Sequence, residues 1–454
     1  MRKYFGTDGI RRIANSELTP ELVYKVAKAG AYVLSKHTNH TPTIFIGRDT
    51  RISGTLIEAA MTAGFLSYGA NVKQLGVIPT PGVAYLTKRY KADASVVISA
   101  SHNTYEFNGI KYFSNKGMKI PDTLEEEIEE VMDSGKLDEL TAINDKIGVA
   151  ENREDLLEEY VYFFRKNFEE ELENLDKENF VVALDTANGA TYQIADKVFT
   201  KLGIKHYIIN NEPNGININD NCGSTHMQGL QKFVVENKCN LGIAYDGDGD
   251  RCLAVNEKGE LVDGDCIMAV ISNYLKEKNK LKNDTLVATV MSNLGLRKFA
   301  QENNINFETT KVGDRYVLEN MLANGNNLGG EQSGHIIMLD YNPTGDGILT
   351  SLMLVKIMLE KGLPISKLCD IIKIYPQVLI NAKVSADKKY DYEKDAEIKA
   401  EIEKLEKEFS GNGRVLIRPS GTEPLVRVMI EGEDQGYIKA KAEALAKLIE
   451  QKLK

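Results

Sequence analysis

The sequence predicts an α/β protein: three doubly wound α/β domains followed by a smaller α+β domain. Helix-like and strand-like segments alternate for most of the chain, as parallel sheets require. The alternation restarts after a polar stretch that ends near residue 150, and again near residue 286. Residues 371–454 lose that rhythm and mix strands and helices without βαβ units.

In order along the chain, Thr19-Pro20 opens an amphipathic helix over 20–36, an N-cap followed by proline at N1. Residues 43–46 read as a strand, 54–68 as a helix and 94–98 as a strand, and an acidic helix follows near 121–134. Residues 180–184 form a buried-type strand, with Asp185-Thr186-Ala187-Asn188-Gly189 turning into a helix. The run 286–290 repeats the theme and leads into Ser292-Asn293-Leu294-Gly295. In the tail, strands over 374–383, 414–418 and 425–430 alternate with helices over 393–409 and 435–453. The division is 1–150, 151–254, 255–370 and 371–454.

Composition fits a soluble globular protein, with 42% hydrophobic and 27% charged residues among 454. No apolar run reaches the roughly 18 residues of a membrane span, and no signal peptide opens the chain. A net charge of −10 argues against generic nucleic-acid binding, while leaving room for a local basic site for an anion. Cys222, Cys239, Cys252, Cys266 and Cys369 are scattered and show no CxxC spacing. They read as reduced residues of a cytoplasmic protein, and none is a candidate nucleophile.

The most informative stretch is Asp246-Gly247-Asp248-Gly249-Asp250-Arg251, between the apolar runs 241–245 and 252–255. It reads as a tight strand-to-strand loop, surface chemistry and not core. Three carboxylates this close repel unless a cation neutralises them. An all-oxygen ligand set suits a hard cation such as Mg2+. The rivals are a solvated acidic turn and an EF-hand loop. The EF-hand has Glu257 at its twelfth position but Arg251 where it needs glycine, and strands where it needs helices.

Four further segments carry chemistry. Ser99-Ala100-Ser101-His102-Asn103-Thr104 follows the 94–98 strand, at the strand end where α/β proteins bind ligands. Ser101 reads as an exposed candidate nucleophile, and Lys111 nearby can serve proton transfer or phosphate neutralisation. The alternative is an ordinary polar turn. Arg418-Pro419-Ser420-Gly421-Thr422 through Arg427 has the composition of a phosphate cradle, hydroxyls and amides between two guanidinium groups. Its rival is a turn with solvated arginines. Glu331, Ser333 and His335 in Gly329-Gly330-Glu331-Gln332-Ser333-Gly334-His335 suit a polyol ligand. Phe5-Gly6-Thr7-Asp8-Gly9-Ile10-Arg11-Arg12 suits an anion, or a capped N-terminal loop. A phosphorylated sugar asks for all these groups at once.

These motifs, in this order from Phe5 to Arg427, resemble the α-D-phosphohexomutase superfamily, and FGTDGIR with GGEQSGH resembles its glucosamine branch more than its mannose/glucose branch. The resemblance implies four domains around a central cleft, carrying in turn the phosphoserine, metal, sugar and phosphate loops. It implies that Ser101 carries the phosphate and that Asp246, Asp248 and Asp250 hold Mg2+ with a phosphoserine oxygen. Lys111, Arg11, Arg251 and His335 would assist transfer. Glu331 and Ser333 would meet sugar hydroxyls, while Arg418, Ser420, Gly421, Thr422 and Arg427 hold the non-reacting phosphate. The implied reaction interconverts glucosamine 6-phosphate and glucosamine 1-phosphate through a 1,6-bisphosphate, feeding UDP-N-acetylglucosamine and cell-wall synthesis. The mannose/glucose activity is the alternative. A hexose 1,6-bisphosphate is the implied activator, a phosphosugar the only implied partner besides a homodimer mate, and neither nucleic acid nor membrane is expected. Two positions depart from the family pattern. Thr104 replaces a proline, which predicts a more mobile serine loop. Arg12 replaces a glycine, which predicts strain if the backbone there needs positive φ.

Overall fold

The computed structural model describes residues 3–6, 8–420 and 423–454. The first sheet has six strands in the order Ile10–Ile13, Phe107–Ser114, Ala94–Ile98, Thr43–Arg48, Asn71–Val77, Ala150–Asn152. The last four pair in parallel, and the first two run antiparallel to their neighbours. Parallel neighbours need crossovers, supplied here by helices such as Gly54–Tyr68 and Thr80–Tyr90. The Ala94–Ile98 strand is buried at every residue, as expected of a strand covered on both faces.

The second sheet runs Leu261–Val262, Cys252–Val255, Leu241–Tyr245, Val181–Asp185, Lys205–Ile209. The third runs Asn306–Thr310, Thr285–Thr289, Leu328–Gly330, Ile336–Met338. Both again combine parallel pairs with an antiparallel return. The fourth sheet is antiparallel, with Leu425–Gly432 between Gln377–Lys383 and Gly413–Pro419. In each sheet one motif occupies the same place. A strand turns back on an antiparallel neighbour, and the turn is the Ser101 loop, the acidic loop, the Glu331 loop or the Ser420 loop. In the first three the incoming strand is parallel to another neighbour, and its carboxyl end is where open α/β sheets receive ligands.

The chain divides into two compact units, residues 1–291 with 305–371, and residues 292–304 with 372–454. The first holds three sheets. The second holds the fourth sheet and the helix Leu294–Glu302. Asn293 fixes that helix to the tail, donating to Tyr375 O (2.9 Å) and accepting from Tyr375 N (3.0 Å).

Expected elements are found within a few residues, for example Pro20–Ser35, Gly54–Tyr68, Ala94–Ile98 and Gln435–Leu453. Segment 185–189 differs. Ala187 and Asn188 are left-handed (φ 54° and 49°), and the helix begins only at Ile194. The detour has a cause: Gly189 presses against the acidic loop, where an added Cβ would lie 2.4 Å from Gly247 O, and Ala190 N donates to the same oxygen (2.8 Å).

Candidate active site

The acidic loop joins Leu241–Tyr245 to Cys252–Val255. Gly249 takes φ +70°, which only glycine adopts without strain, and a Cβ on Gly247 would stand 2.6 Å from Ser101 O. The loop is not surface chemistry. Asp246, Asp248 and Asp250 are 0%, 1% and 3% exposed, and one oxygen from each lies within 4.8 Å of the others. Burial, then the Asp250 and Asp248 charges, push the Asp246 carboxyl well above its ordinary range. Burial acts on Asp248 in the same direction, but Lys111 and Thr80 outweigh it and hold that carboxyl down. Asp248 Oδ1 and Asp250 Oδ1 are buried without a hydrogen-bond partner. Orphaned, converging, mutually repelling oxygens fit a hard divalent cation.

Ser101 sits against this cluster and donates from Oγ to Asp246 Oδ2 (2.7 Å). It is 1% exposed, so the sequence expectation of an open serine is corrected: the loop is folded under the acidic one. Its φ of +51° is left-handed, a conformation that costs a non-glycine residue about 1–3 kcal/mol and is held only by its surroundings. His102 Nδ1 lies 3.5 Å from Ser101 Oγ but accepts from Arg251 Nη1 (3.0 Å). Burial, then Arg251 and Arg11, lower the His102 pKa to about 4. The ring is therefore neutral near pH 7, and its facing lone pair is already engaged. Arg12 is unstrained, because it lies in the Ile10–Ile13 strand opposite Asn108.

A buried ion network ties the other predicted groups to the cluster. Lys111 Nζ bonds Asp248 Oδ2 (3.1 Å) and Asp8 Oδ2 (3.2 Å). Arg11 bridges Asp8 Oδ2 (3.2 Å) and Asn103 Oδ1 (3.1 Å). Lys119 joins Asp8 to Asp314, the latter at 2.7 Å. Asp314 Oδ2 lies 3.5 Å from His335 Nε2, and Asp250 Oδ2 lies 3.5 Å from Nδ1. Burial opposes protonation of His335, but these two carboxylates outweigh it and raise its pKa. Gly345 N donates to Nε2 (3.1 Å), so the neutral ring keeps its proton on Nδ1, facing Asp250. Arg251 completes the set, its backbone N donating to Asp246 Oδ1 (3.2 Å).

The Glu331 loop is held from both sides. Glu331 Oε1 accepts from Gly313 N (3.0 Å), and Gln332 O accepts from Gly264 N (3.0 Å) at the start of the Gly264–Glu277 helix. Ser333 is exposed.

In the second unit, Arg418 and Arg427 face each other across neighbouring strands. Like charges directly opposite are unfavourable unless an anion or a carboxylate offsets them. Glu423 approaches Arg427 only to 3.9 Å. Ser420 is buried, its Oγ accepting from Glu423 N (3.3 Å) and its carbonyl from Lys389 Nζ (3.0 Å). The expected contributions of Gly421 and Thr422 lie outside the described residues.

The structure therefore brings Ser101, Lys111, Arg11, Arg251, His335 and the three aspartates into one cluster. Sequence reading missed Thr80, Lys119, Asp314 and Lys389, and named Asp8 only as part of a motif. Each is an ordinary residue type far in sequence from its partners. Lys119 follows the strand that carries Lys111, the one local signal available.

Models of the phosphoglucomutase/phosphomannomutase family match throughout: α/β/α domain I at residues 2–139, domain II at 158–259, domain III at 263–375 and the C-terminal domain at 379–448. The phosphoglucosamine mutase of Acetivibrio thermocellus is 55% identical over 454 residues, and that of Ruminiclostridium cellulolyticum 53% over 453, each covering 100% of both chains. Among solved structures, a phosphoglucomutase/phosphomannomutase family protein from Burkholderia thailandensis matches with a TM-score of 0.80 at 19% identity, covering 99% of this chain and 97% of that one. The Aspergillus fumigatus N-acetylphosphoglucosamine mutase, in complex with GlcNAc-6P and magnesium, matches at 0.71 and 16%, covering 99% and 96%. These two share the fold, and the full-length identities go further: the chain belongs to the phosphoglucomutase/phosphomannomutase family and, within it, to the phosphoglucosamine mutases.

Proposed function

We propose that the protein interconverts glucosamine 6-phosphate and glucosamine 1-phosphate, with Ser101 as phosphoryl carrier. The observation that carries this reading is the Ser101 hydroxyl, 2.7 Å from Asp246 at the edge of three converging buried carboxylates. Asp246, Asp248 and Asp250, with a Ser101 oxygen, would hold Mg2+, which when bound offsets charge on the transferring phosphoryl group. The Ser101 Oγ–P bond breaks as a sugar O–P bond forms, giving a 1,6-bisphosphate, and the departing Ser101 oxygen takes a proton from the Lys111 ammonium. His335 takes the sugar hydroxyl proton at Nε2 once the Gly345 N–H bond to that atom opens, its basicity strengthened by Asp250 and Asp314. Lys111, Arg11 and Arg251 neutralise the phosphoryl oxygens in a buried setting, where fixed charges act strongly. After the intermediate reorients, the other phosphate returns to Ser101 by the same step.

Glu331 and Ser333 would bind sugar hydroxyls, with Glu331 also offsetting the cationic C2 amine. Arg418, Ser420, Gly421, Thr422 and Arg427 would grip the non-reacting phosphate. A hexose 1,6-bisphosphate would prime Ser101. The domain bounds 1–150, 151–254, 255–370 and 371–454, a homodimer and a cytoplasmic setting belong to the same proposal; the five free thiols are in keeping with that setting.

The test is kcat/KM for glucosamine, glucose and mannose 6-phosphates at saturating Mg2+ with a trace of hexose 1,6-bisphosphate. Glucosamine phosphate is expected to lead by at least about 10-fold, a partly wet site giving less than a sealed one. Equal or higher efficiency with glucose or mannose phosphate would move the assignment to the mannose/glucose branch.

A further inference from the structure

Ser101 cannot hold its left-handed backbone unaided, and its two backbone polar groups lead to one buried ion pair. Arg51 and Asp49, each 1% exposed, follow the Thr43–Arg48 strand, and Arg51 Nη1 bonds Asp49. Arg51 Nη2 donates to Ser101 O (3.1 Å) and to Asn103 O (2.5 Å). Asn219 Nδ2, from the following domain, donates to the same two carbonyls, each at 2.9 Å. The Ser101 N–H donates to Ser99 Oγ (2.9 Å), and the Ser99 hydroxyl is among the groups that favour the charged Asp49 carboxylate. The Ser101 carbonyl is thus anchored twice, by Arg51 and by Asn219, and its N–H is held by Ser99 beside Asp49. None of these groups reaches the serine hydroxyl or the carboxylate oxygens that converge beside it.

We infer that Asp49, Arg51 and Asn219 form a positioning clamp, which holds the Ser101 backbone so that Oγ stays on the acidic cluster during phosphoryl transfer. The clamp rests on the phosphoserine reading above. Its chemistry is amide and guanidinium N–H groups on main-chain carbonyls, with Asp49 holding the guanidinium. Loosening it should misplace the carrier without changing how the sugar phosphate is gripped. A misplacement on the order of 1 Å costs about 100-fold in rate.

The test is Asn219→Ala, which removes two of the four carbonyl bonds from outside the ion pair, alongside Arg51→Lys, which keeps the charge and loses the fork. Both are assayed with the sugar phosphate, and kcat is expressed per folded molecule. The expected result is kcat lower by about 10- to 100-fold, KM for glucosamine 6-phosphate within about twofold, and faster amide hydrogen exchange at residues 101–103. Asn219→Ser, smaller in its perturbation, should fall between Asn219→Ala and wild type. A merely structural role would lower the melting temperature but leave kcat per folded molecule unchanged. That outcome in any folded variant, or a loss confined to KM, would overturn the clamp. Full turnover by Ser101→Ala would instead overturn the phosphoserine reading, and the clamp with it.

Discussion

Around Ser101 the charged groups are sealed: Asp246, Asp248, Asp250 and Lys111 are at most 3% exposed, and Lys111 bonds Asp248 at 3.1 Å. Around Ser420 the side chain of Arg427 is 36% exposed, and its ion pair with Glu423 stretches to 3.9 Å. Buried charge is costly unless every partner is in place, so the first region tolerates one arrangement. Exposed charge is screened and adaptable, so the second can accept anions in more than one pose. On the function proposed above, the Ser101 region would be a fixed reacting centre and the Arg418–Arg427 region a forgiving grip.

The sharpest way to break the comparison is Ser101→Ala. Turnover should fall by about 10⁴-fold or more, as when a nucleophile is deleted. Wild-type turnover of glucosamine 6-phosphate by this variant would remove the fixed centre altogether.

Asp248→Asn comes next. It should lower kcat and weaken Mg2+ binding in a calorimetric titration. It should also lower stability, because Asp248 is buried and bonded to Lys111 and to Thr80 Oγ1 (2.7 Å). Removing one partner of a buried pair costs about 3–5 kcal/mol, and the low end applies here because Asp8 still faces Lys111. Unchanged Mg2+ affinity would mean that the carboxylates hold no ion.

Changing both Arg418 and Arg427 to alanine should act mainly on KM. A desolvated charged contact is worth about 2–5 kcal/mol, and exposure places this pair near the lower figure. Raising the salt concentration should increase the wild-type KM more than the variant's. Wild-type KM and kcat in the double variant would locate the phosphate grip elsewhere.

The smallest effect on turnover is expected at Asp346, which supports the acidic loop from below. It caps the Gly347–Lys361 helix, whose first N–H donates to Gly249 O (3.0 Å). Burial pushes the Asp346 carboxyl up to about 6, against the bonds from Tyr160, Leu349 and Asn342. A folded pKa above the unfolded one means that the folded state binds more protons between about pH 4 and 6. That stabilisation is present below pH 4 and lost as pH rises through about 6. It amounts to at most about 3 kcal/mol. Asp346→Asn should flatten the slope of urea-unfolding midpoints measured across that window. An unchanged slope would clear this carboxyl of the pH dependence.

The two regions are unequally legible in the sequence. The acidic loop announces itself, because aspartates alternating with glycines have few uses besides gathering charge. The Arg418–Arg427 hairpin is legible as composition, and the strands either side of it alternate clearly. Asn108-Gly109-Ile110-Lys111 reads as an appendage of the serine loop, yet Phe107–Ser114 is a strand, with polar Asn108 buried and bonded to Ser53. Ile10–Ile13 looks like a turn for a similar reason: Arg11 faces the site and Arg12 donates to Lys3 O (3.0 Å), so the strand shows no apolar alternation. Burial of Ser101 and the aspartates is invisible in sequence, because it is produced by segments more than a hundred residues apart closing on one another. Lys119 and Asp314 are legible only once the fold brings them to 2.7 Å.

The helix Leu294–Glu302 has a consequence for how the chain is made. It belongs to the unit built from residues 372–454, and it buries Leu296, Phe299 and Ala300. On the ribosome it emerges before residues 303–371, and the groups it bonds come later still: Glu431 accepts from Leu294 N (3.1 Å), and Tyr375 and Asn412 accept from Lys298 Nζ (3.0 and 2.6 Å). At about 5–20 residues per second, these partners arrive several seconds after the helix. Chains truncated before residue 372 lack all three of them.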